Sequence, residues 1–185
     1  MEEVLVAFPR NEAFVQEKIA EDAFTDIFNR YYNRVFNYMH FRLGNLYEAE
    51  ELSSQVFEHV LQKMSTYNPE LAPFEVWLFA VARNIINDHY RRQKRWSWLP
   101  LESIKNLVSR LPSPEENALK NEEHRLLLSS LASLDDRQRN IIALKFAGGF
   151  KNREIAQLTG LSESNVGVLI YRSLNQLREL LKNKE

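Results

Sequence analysis

A chain of 185 residues, 44% of them hydrophobic, has room for one ordinary domain or two small ones and enough apolar mass to pack their cores. Its formal net charge of −1 excludes a uniformly basic nucleic-acid binder, so any contact with DNA must come from local patches. The absence of cysteine excludes disulfides and thiolate zinc sites and suits a reducing compartment.

The first residues, Met1 to Arg10, open with Glu2 and Glu3 and carry only a short apolar stretch from Val4 to Phe8, without the basic start of a signal peptide. No apolar run approaches the roughly 20 residues that cross a bilayer, so a cytoplasmic protein without membrane insertion is expected. Only five glycines and six prolines occur, and strand-like alternation is hard to find, so the fold class is all-α. Residues 1–23 form an N-terminal extension in which Phe14, Val15 and Ile19 suggest a short helix. From Phe24, the residues Ile27, Phe28, Tyr31, Val35, Tyr38 and Met39 recur at spacings of three and four, as one buried helix face demands, and Gly44 and Asn45 end the run. A second helix places Leu52, Val56, Val60 and Met64 on one face with Phe57 and Leu61 beside them, and Glu48, Glu50 and Glu51 in its first turn. Asn68, Pro69 and Pro73 interrupt, and a third helix runs from about Phe74 to Arg92, with Trp77, Ala80, Val81, Asn84 and Ile85 on one side. Arg91, Arg92, Lys94 and Arg95 close it as a basic cluster, which a phosphate site and an ordinary solvated helix end explain equally well.

Between Trp96 and Pro114 the helical period fades and Pro100, Pro112 and Pro114 stiffen the chain, so residues 96–114 read as a linker between modules at 24–95 and 115–185. Beyond it, Leu119, Leu126, Leu127, Leu131 and Leu134 suggest one helix, and Ile141, Ile142, Leu144 and Phe146 another that ends at Gly148 and Gly149. Residues Asn152 to Tyr171, NREIAQLTGLSESNVGVLIY, have the offsets of a helix-turn-helix. Ala156 permits close approach, Gly160 takes a left-handed turn, Ser162 caps the second helix, and Val166 and Leu169 plug it into the first. An ordinary αα-corner is the alternative. A recognition helix reads base edges with its N-terminal residues, which makes Ser162, Ser164, Asn165 and Arg172 the candidates, with Lys151 and Arg153 as backbone clamps.

Three segments resemble the bacterial extracytoplasmic-function sigma factors of the sigma-70 superfamily, over roughly residues 20–183. EAEELSSQVF (Glu48 to Phe57) is similar to the family segment that binds the clamp helices of the largest polymerase subunit. FEVWLFAVARNIINDHYRRQKR (Phe74 to Arg95) is similar to the promoter-melting, minus-ten-binding helix. FKNREIAQLTGLSESNVGVLIYRSLNQLREL (Phe150 to Leu180) is similar to the minus-thirty-five reader. The resemblance implies a sigma region 2-like domain at 24–95 and a region 4-like helix-turn-helix domain at 115–185. The partners it implies are core RNA polymerase, through the clamp helices and the flap of the second-largest subunit, and promoter DNA; an anti-sigma factor is common in the family. Core-binding residues would be Glu48, Glu50, Glu51, Leu52, Gln55 and Phe57. Minus-ten residues would be Tyr67, Asn68, Asn84, Asp88, Arg91, Arg92 and Lys94, with Asn84 and the loop from Tyr67 to Phe74 capturing an unstacked base. Minus-thirty-five residues would be Lys151, Arg153, Ser162, Ser164, Asn165, Tyr171 and Arg172. Phe74 and Trp77 read as core. Two departures stand out: Ser54 occupies a position where the family often has glutamine, and Gly167, Leu169 and Leu174 stand where many relatives carry basic residues.

Nothing points to catalysis. His40, His59, His89 and His124 are scattered without metal-ligand spacing, and neither GxxxxGK[ST] nor GxGxxG occurs, so no metal or cofactor is expected. The rival is a stand-alone helix-turn-helix regulator whose N-terminal helices dimerise or sense a ligand.

Overall fold

A computed structural model describes residues 12–96 and 118–182, and no strand forms among them. Most of the expected linker and the start of the N-terminal extension lie outside the described residues. The chain divides into two units, Met1–Asn33 and Arg34–Glu185.

The helix expected from Phe24 and the one expected in the extension are a single helix, α1 (Glu12–Leu43), because no glycine or proline interrupts the sequence between them. In the first unit, Phe24, Phe28 and Tyr32 stack along it at ring separations of 6.5 and 4.8 Å, the spacing that neighbours four apart on a helix allow. In the second unit, Val35, Tyr38 and Met39 are fully buried, as their periodicity requires.

Gly44 takes φ +70 and ends α1. Asn45, expected to share that task, instead starts α2 (Leu46–Lys63): its side chain accepts from the Glu48 amide at 3.1 Å, satisfying a donor that the first helical turn leaves open. The buried stripe of α2 is Ala49, Leu52, Ser53, Val56, Phe57 and Val60. It packs along α3 (Phe74–Trp96).

The sequence misjudged one face. The core residues of α3 are Val76, Leu78, Phe79, Ala82 and Ile86. Trp77, Ala80, Val81 and Ile85 are half-buried and Asn84 is exposed. Both sides of this helix are rich in apolar residues, so periodicity alone could not say which of them meets α2.

The second half begins with α4 (Ala118–Ala132) and α5 (Asp136–Ile142). A capping box starts α5: Asp135 accepts from the Gln138 amide at 2.7 Å and Gln138 accepts from the Asp135 amide at 3.1 Å. A π-helical turn, Ala143–Ala147, follows, and its wider spiral rotates Phe146 away from the core that Ile141, Ile142 and Leu144 enter. Phe146, expected with those three on one face, is thus 54% exposed. Gly148 closes this turn where no side chain fits, since a Cβ would lie 2.8 Å from the Leu144 carbonyl and 2.9 Å from the Phe150 ring. Helices α6 (Asn152–Thr159) and α7 (Glu163–Lys182) complete the chain. Leu131, Leu134, Ile142 and Leu177 form the core here, with Phe41 of α1 packed against it.

Tyr38 connects this packing to pH. Burial pushes its hydroxyl up to about 12, against the opposing pull of Arg42 and Arg83. The folded chain therefore keeps this proton at a pH where the unfolded chain has lost it. Stability is complete below the unfolded value near 10 and declines as pH rises toward 12, by roughly 2–3 kcal/mol for this one group. Urea denaturation at stepped pH is expected to show this decline in the wild type and a smaller one in Tyr38→Phe.

Candidate nucleic-acid interface

Two helices turn polar faces outward. On α3, Asn84 is exposed and lines a groove of about 690 Å³ with Gln55, Glu58, His59, Asp88 and Arg92. Asp88, Arg91, Arg92 and Arg95 line an adjoining hollow of about 600 Å³, so the amides of Asn84 and Gln55, the carboxylates of Glu58 and Asp88, and three guanidinium groups share one surface. Arg91 pairs with Asp88 three residues earlier. A carboxylate repels phosphate, and the one partner Asp88 has among the described residues is the Arg91 guanidinium, which it orients. Arg92 and Lys94 are exposed in the same turns.

The loop before α3 is built on rings. Tyr67, Phe74 and Trp77 lie 5.3 to 5.6 Å apart in a mutual cluster. The Tyr67 hydroxyl donates to the Ala72 carbonyl at 3.2 Å. Asn68 accepts from the Glu70 amide at 2.9 Å, a local turn that occupies its side-chain oxygen. Phe74 and Trp77, expected as core, are half-buried. They brace the loop from beneath and do not enter the main core, because Leu78 and Phe79 occupy that side of the helix.

On α2, the structure separates the residues expected to contact a partner. Glu50 and Glu51 are exposed, Glu48 is half-buried 3.6 Å from His89, and Gln55 donates to Glu51 at 3.3 Å. Leu52 and Phe57 are only 4% and 3% exposed. Expected among the partner contacts, they are core positions instead, part of the buried stripe of the helix that packs along α3. The outer stripe is Tyr47, Glu51, Ser54, Glu58 and Leu61, spaced by four and three. Tyr47 and Leu61, at 65% and 60% exposure, are large groups at its two ends; Tyr47 was not singled out from the sequence, and Leu61, expected beside the buried face, turns to solvent. Their signal was available, since both fall opposite the Val56 and Val60 side.

In the C-terminal pair, Gly160 takes φ +73 between α6 and α7, a conformation that costs a side chain about 1 kcal/mol. Ser162 accepts from the Asn165 amide at 3.2 Å, so it caps α7 as expected, and this bond commits its hydroxyl oxygen. Ile155 and Leu158 of α6 are buried with Val166 of α7, while Leu169 is half-buried. Ser164, Asn165, Tyr171 and Arg172 are exposed and share one face, with the 46% exposed Val168 among them. Val168 was missed; its methyls suit a thymine methyl in a major groove. Lys151 and Arg153 are exposed at the start of α6. Leu174 is 39% exposed, outside the core.

Residues 27–96 match the family described as Sigma-70 region 2, and residues 124–177 match Sigma-70, region 4. An ECF RNA polymerase sigma factor of Streptomyces griseus, ShbA, is 30% identical over 71% of this chain and 71% of its own. BldN, an ECF sigma factor of Streptomyces coelicolor, is also 30% identical; the match covers 86% of this chain but spans 61% of that relative's length. The sigma factor RpoE of Bartonella quintana, solved in complex with the anti-sigma factor NepR, has the same fold at a TM-score of 0.70 and 19% identity, covering 86% of this chain and 97% of that one. The chain belongs to the extracytoplasmic-function sigma factors of the sigma-70 family.

Among the described residues no helix is long and apolar enough to cross a membrane, and no group of side chains could hold a metal ion. Removal of the α7 cap tests how far the recognition helix depends on it. Ser162→Ala is expected to lower stability by about 1 kcal/mol in a denaturation series, with Ser162→Asp close to wild type.

Proposed function

We propose that this chain acts in the cytoplasm as a dissociable specificity subunit of RNA polymerase, binding core enzyme and promoter DNA without catalysing a reaction itself. The observation that carries this reading is that one chain presents two separate helices with exposed polar and basic faces. On α3, an exposed amide sits in a groove rimmed by arginines; on α7, the outer face offers Ser164, Asn165 and Arg172.

The α2 stripe provides the polymerase contact. Exposed Glu50 and Glu51 between Tyr47 and Leu61 offer charge to basic residues and apolar area to the helices of the clamp. The C-terminal module docks on the flap of the second-largest subunit. An anti-sigma factor is a further partner, by likeness to RpoE, which was solved with one.

Opening the duplex costs a few kcal/mol for each unstacked base, and the protein must replace what is lost. Asn84 offers both a donor and an acceptor to a base edge, the Tyr67–Phe74 loop closes over that base, and Arg91, Arg92 and Lys94 hold the adjoining phosphates. On the duplex side, Asn165 and Arg172 read or position from α7, Tyr171 and Ser164 flank them, and Lys151 and Arg153 clamp the backbone from α6.

A stand-alone regulator would bind duplex tightly by itself, as a dimer on paired half-sites. The sigma reading requires weak duplex binding alone and promoter-specific run-off transcription once core polymerase is added; tight palindromic binding without polymerase would reverse the choice. Glu50→Lys with Glu51→Lys is expected to weaken core association about 10-fold without unfolding the chain, since both side chains are solvated. Asn84→Ala is expected to reduce permanganate-reactive opening at least 10-fold at unchanged core binding. Parallel loss in both assays would mean that Asn84 maintains the surface of α3 and does not hold a base.

A further inference from the structure

The groove beside Asn84 has two walls, and one of them belongs to the helix whose outer stripe was assigned to polymerase. Gln55, Glu58, His59 and Gln62 line it from α2, at spacings of three and four. From α3 come Val81, Asn84, Ile85, Asp88 and Arg92. Val81 and Ile85, both half-buried, give the groove an apolar lining against which a flat base can lie. Its volume of about 690 Å³ is within the range of roughly 300–1,000 Å³ that takes a small organic group.

Two glutamates orient the amides of the α2 wall. Gln55 donates from Nε2 to Glu51 Oε1 at 3.3 Å, and Gln62 donates from Nε2 to Glu58 Oε1 at 3.5 Å. A carboxylate accepts and cannot donate, so each amide turns its nitrogen to the glutamate four residues earlier and keeps its carbonyl oxygen for another partner. With the Glu58 carboxylate beside them, this side of the groove is rich in acceptors. An N–H2 group satisfies such a wall. Adenine, cytosine and guanine each carry one, whereas thymine has none and presents carbonyl oxygens. Thymine here would take the glutamate and amide oxygens out of water with too little to accept, and unmade bonds of that kind are what a polar site rejects most strongly. Asn84, from the facing helix, supplies a donor and an acceptor to the same base. Arg92 is free to meet the adjoining phosphate, while Asp88 is held by Arg91.

We propose that Gln55, Glu58 and Gln62 of α2 form a second wall of the base-binding groove, one that admits a base with an exocyclic amine at the position Asn84 captures and rejects thymine there. This deepens the sigma reading above and rests on it. His59, exposed on the same flank, adds a flat ring on which a base can stack. The assignment divides α2 between two partners. Tyr47, Glu51, Ser54 and Leu61 stay on the outer stripe for polymerase, Glu58 stands at the boundary, and Gln55, which the resemblance grouped with the polymerase contacts, belongs to the DNA groove.

The test is transcription by the full-length chain with core RNA polymerase from a duplex library randomised upstream of the start site, with the productive templates sequenced. The position read by the groove is the one whose preference Asn84→Ala erases. There the wild type is expected to deplete thymine about 10-fold against the best of the other three bases. Gln55→Leu with Gln62→Leu is expected to reduce that depletion to about 2-fold and to leave every other selected position as it was. Glu58→Gln, which keeps the size of the side chain and exchanges one acceptor for a donor, is expected to shift the preference the same way by a smaller amount. It serves where the double variant fails to fold. A polymerase contact or a packing role would instead lower transcription from all templates alike, with the thymine depletion intact, and that result would overturn the second wall. Thymine accepted freely by the wild type at this position, or no position that depends on Asn84, would also overturn it and leave the sigma assignment standing. Failure of the wild type to direct transcription from any template would remove the sigma reading and the wall with it.

Discussion

Phe79 is the residue on which both modules depend. It is fully buried, its ring meets Tyr38 at 5.5 Å and Phe150 at 4.7 Å, and the Arg34 guanidinium lies 5.7 Å from its centre. Tyr38 belongs to the first helical module and Phe150 to the second, so one side chain on α3 is a wall of both. A helix has a limited circumference. Once Leu78, Phe79, Ala82 and Ile86 are committed inward, the groups left exposed on this helix include Asn84, Arg91, Arg92 and Lys94.

The same constraint explains the electrostatics. A chain of net charge −1 has no general attraction for DNA, and its cations are divided between two tasks. Arg34, Arg42 and Arg83 are turned into protein, where they bond backbone carbonyls at helix ends and turns. The Gly148 and Leu158 carbonyls lie at C-terminal ends, where the negative end of the helix dipole suits a guanidinium, whereas Arg42 meets the first residue of α5 and is compensated by the Asp136 carboxylate. Arg91, Arg92, Arg153 and Arg172 stay in water. The acidic residues are divided similarly: Glu75 and Asp136 pair with the inward arginines, while Glu50 and Glu51 are left on the surface of α2. Sign and exposure together define three surfaces of different chemistry on a molecule whose total charge is nearly zero.

Much of this was legible in the residue order. The all-α class, the order of the helices, the Ser162 cap, the left-handed Gly160 and the outward position of Ser164, Asn165 and Arg172 follow from spacing and local chemistry. Where that reading went astray, two faces competed. On α3, Trp77, Val81 and Ile85 make as convincing an apolar stripe as the one that is buried. On α2, Leu52 and Phe57 lie within a motif that resembles a binding segment, yet they also continue the core stripe, and the core claims them. Phe146 was displaced by a single wide turn that no periodicity announces.

Residue order alone determined the helices, their caps, their breaks and the family to which they point, because each is settled by neighbours within a few positions along the chain. Only the tertiary structure decided which arginines are spent inside and which apolar faces are shared. Arg42 and Arg92 are indistinguishable as letters; one is 1% exposed against Asp136 and the other faces solvent, because burial is set by segments some ninety residues away in sequence that packing brings alongside.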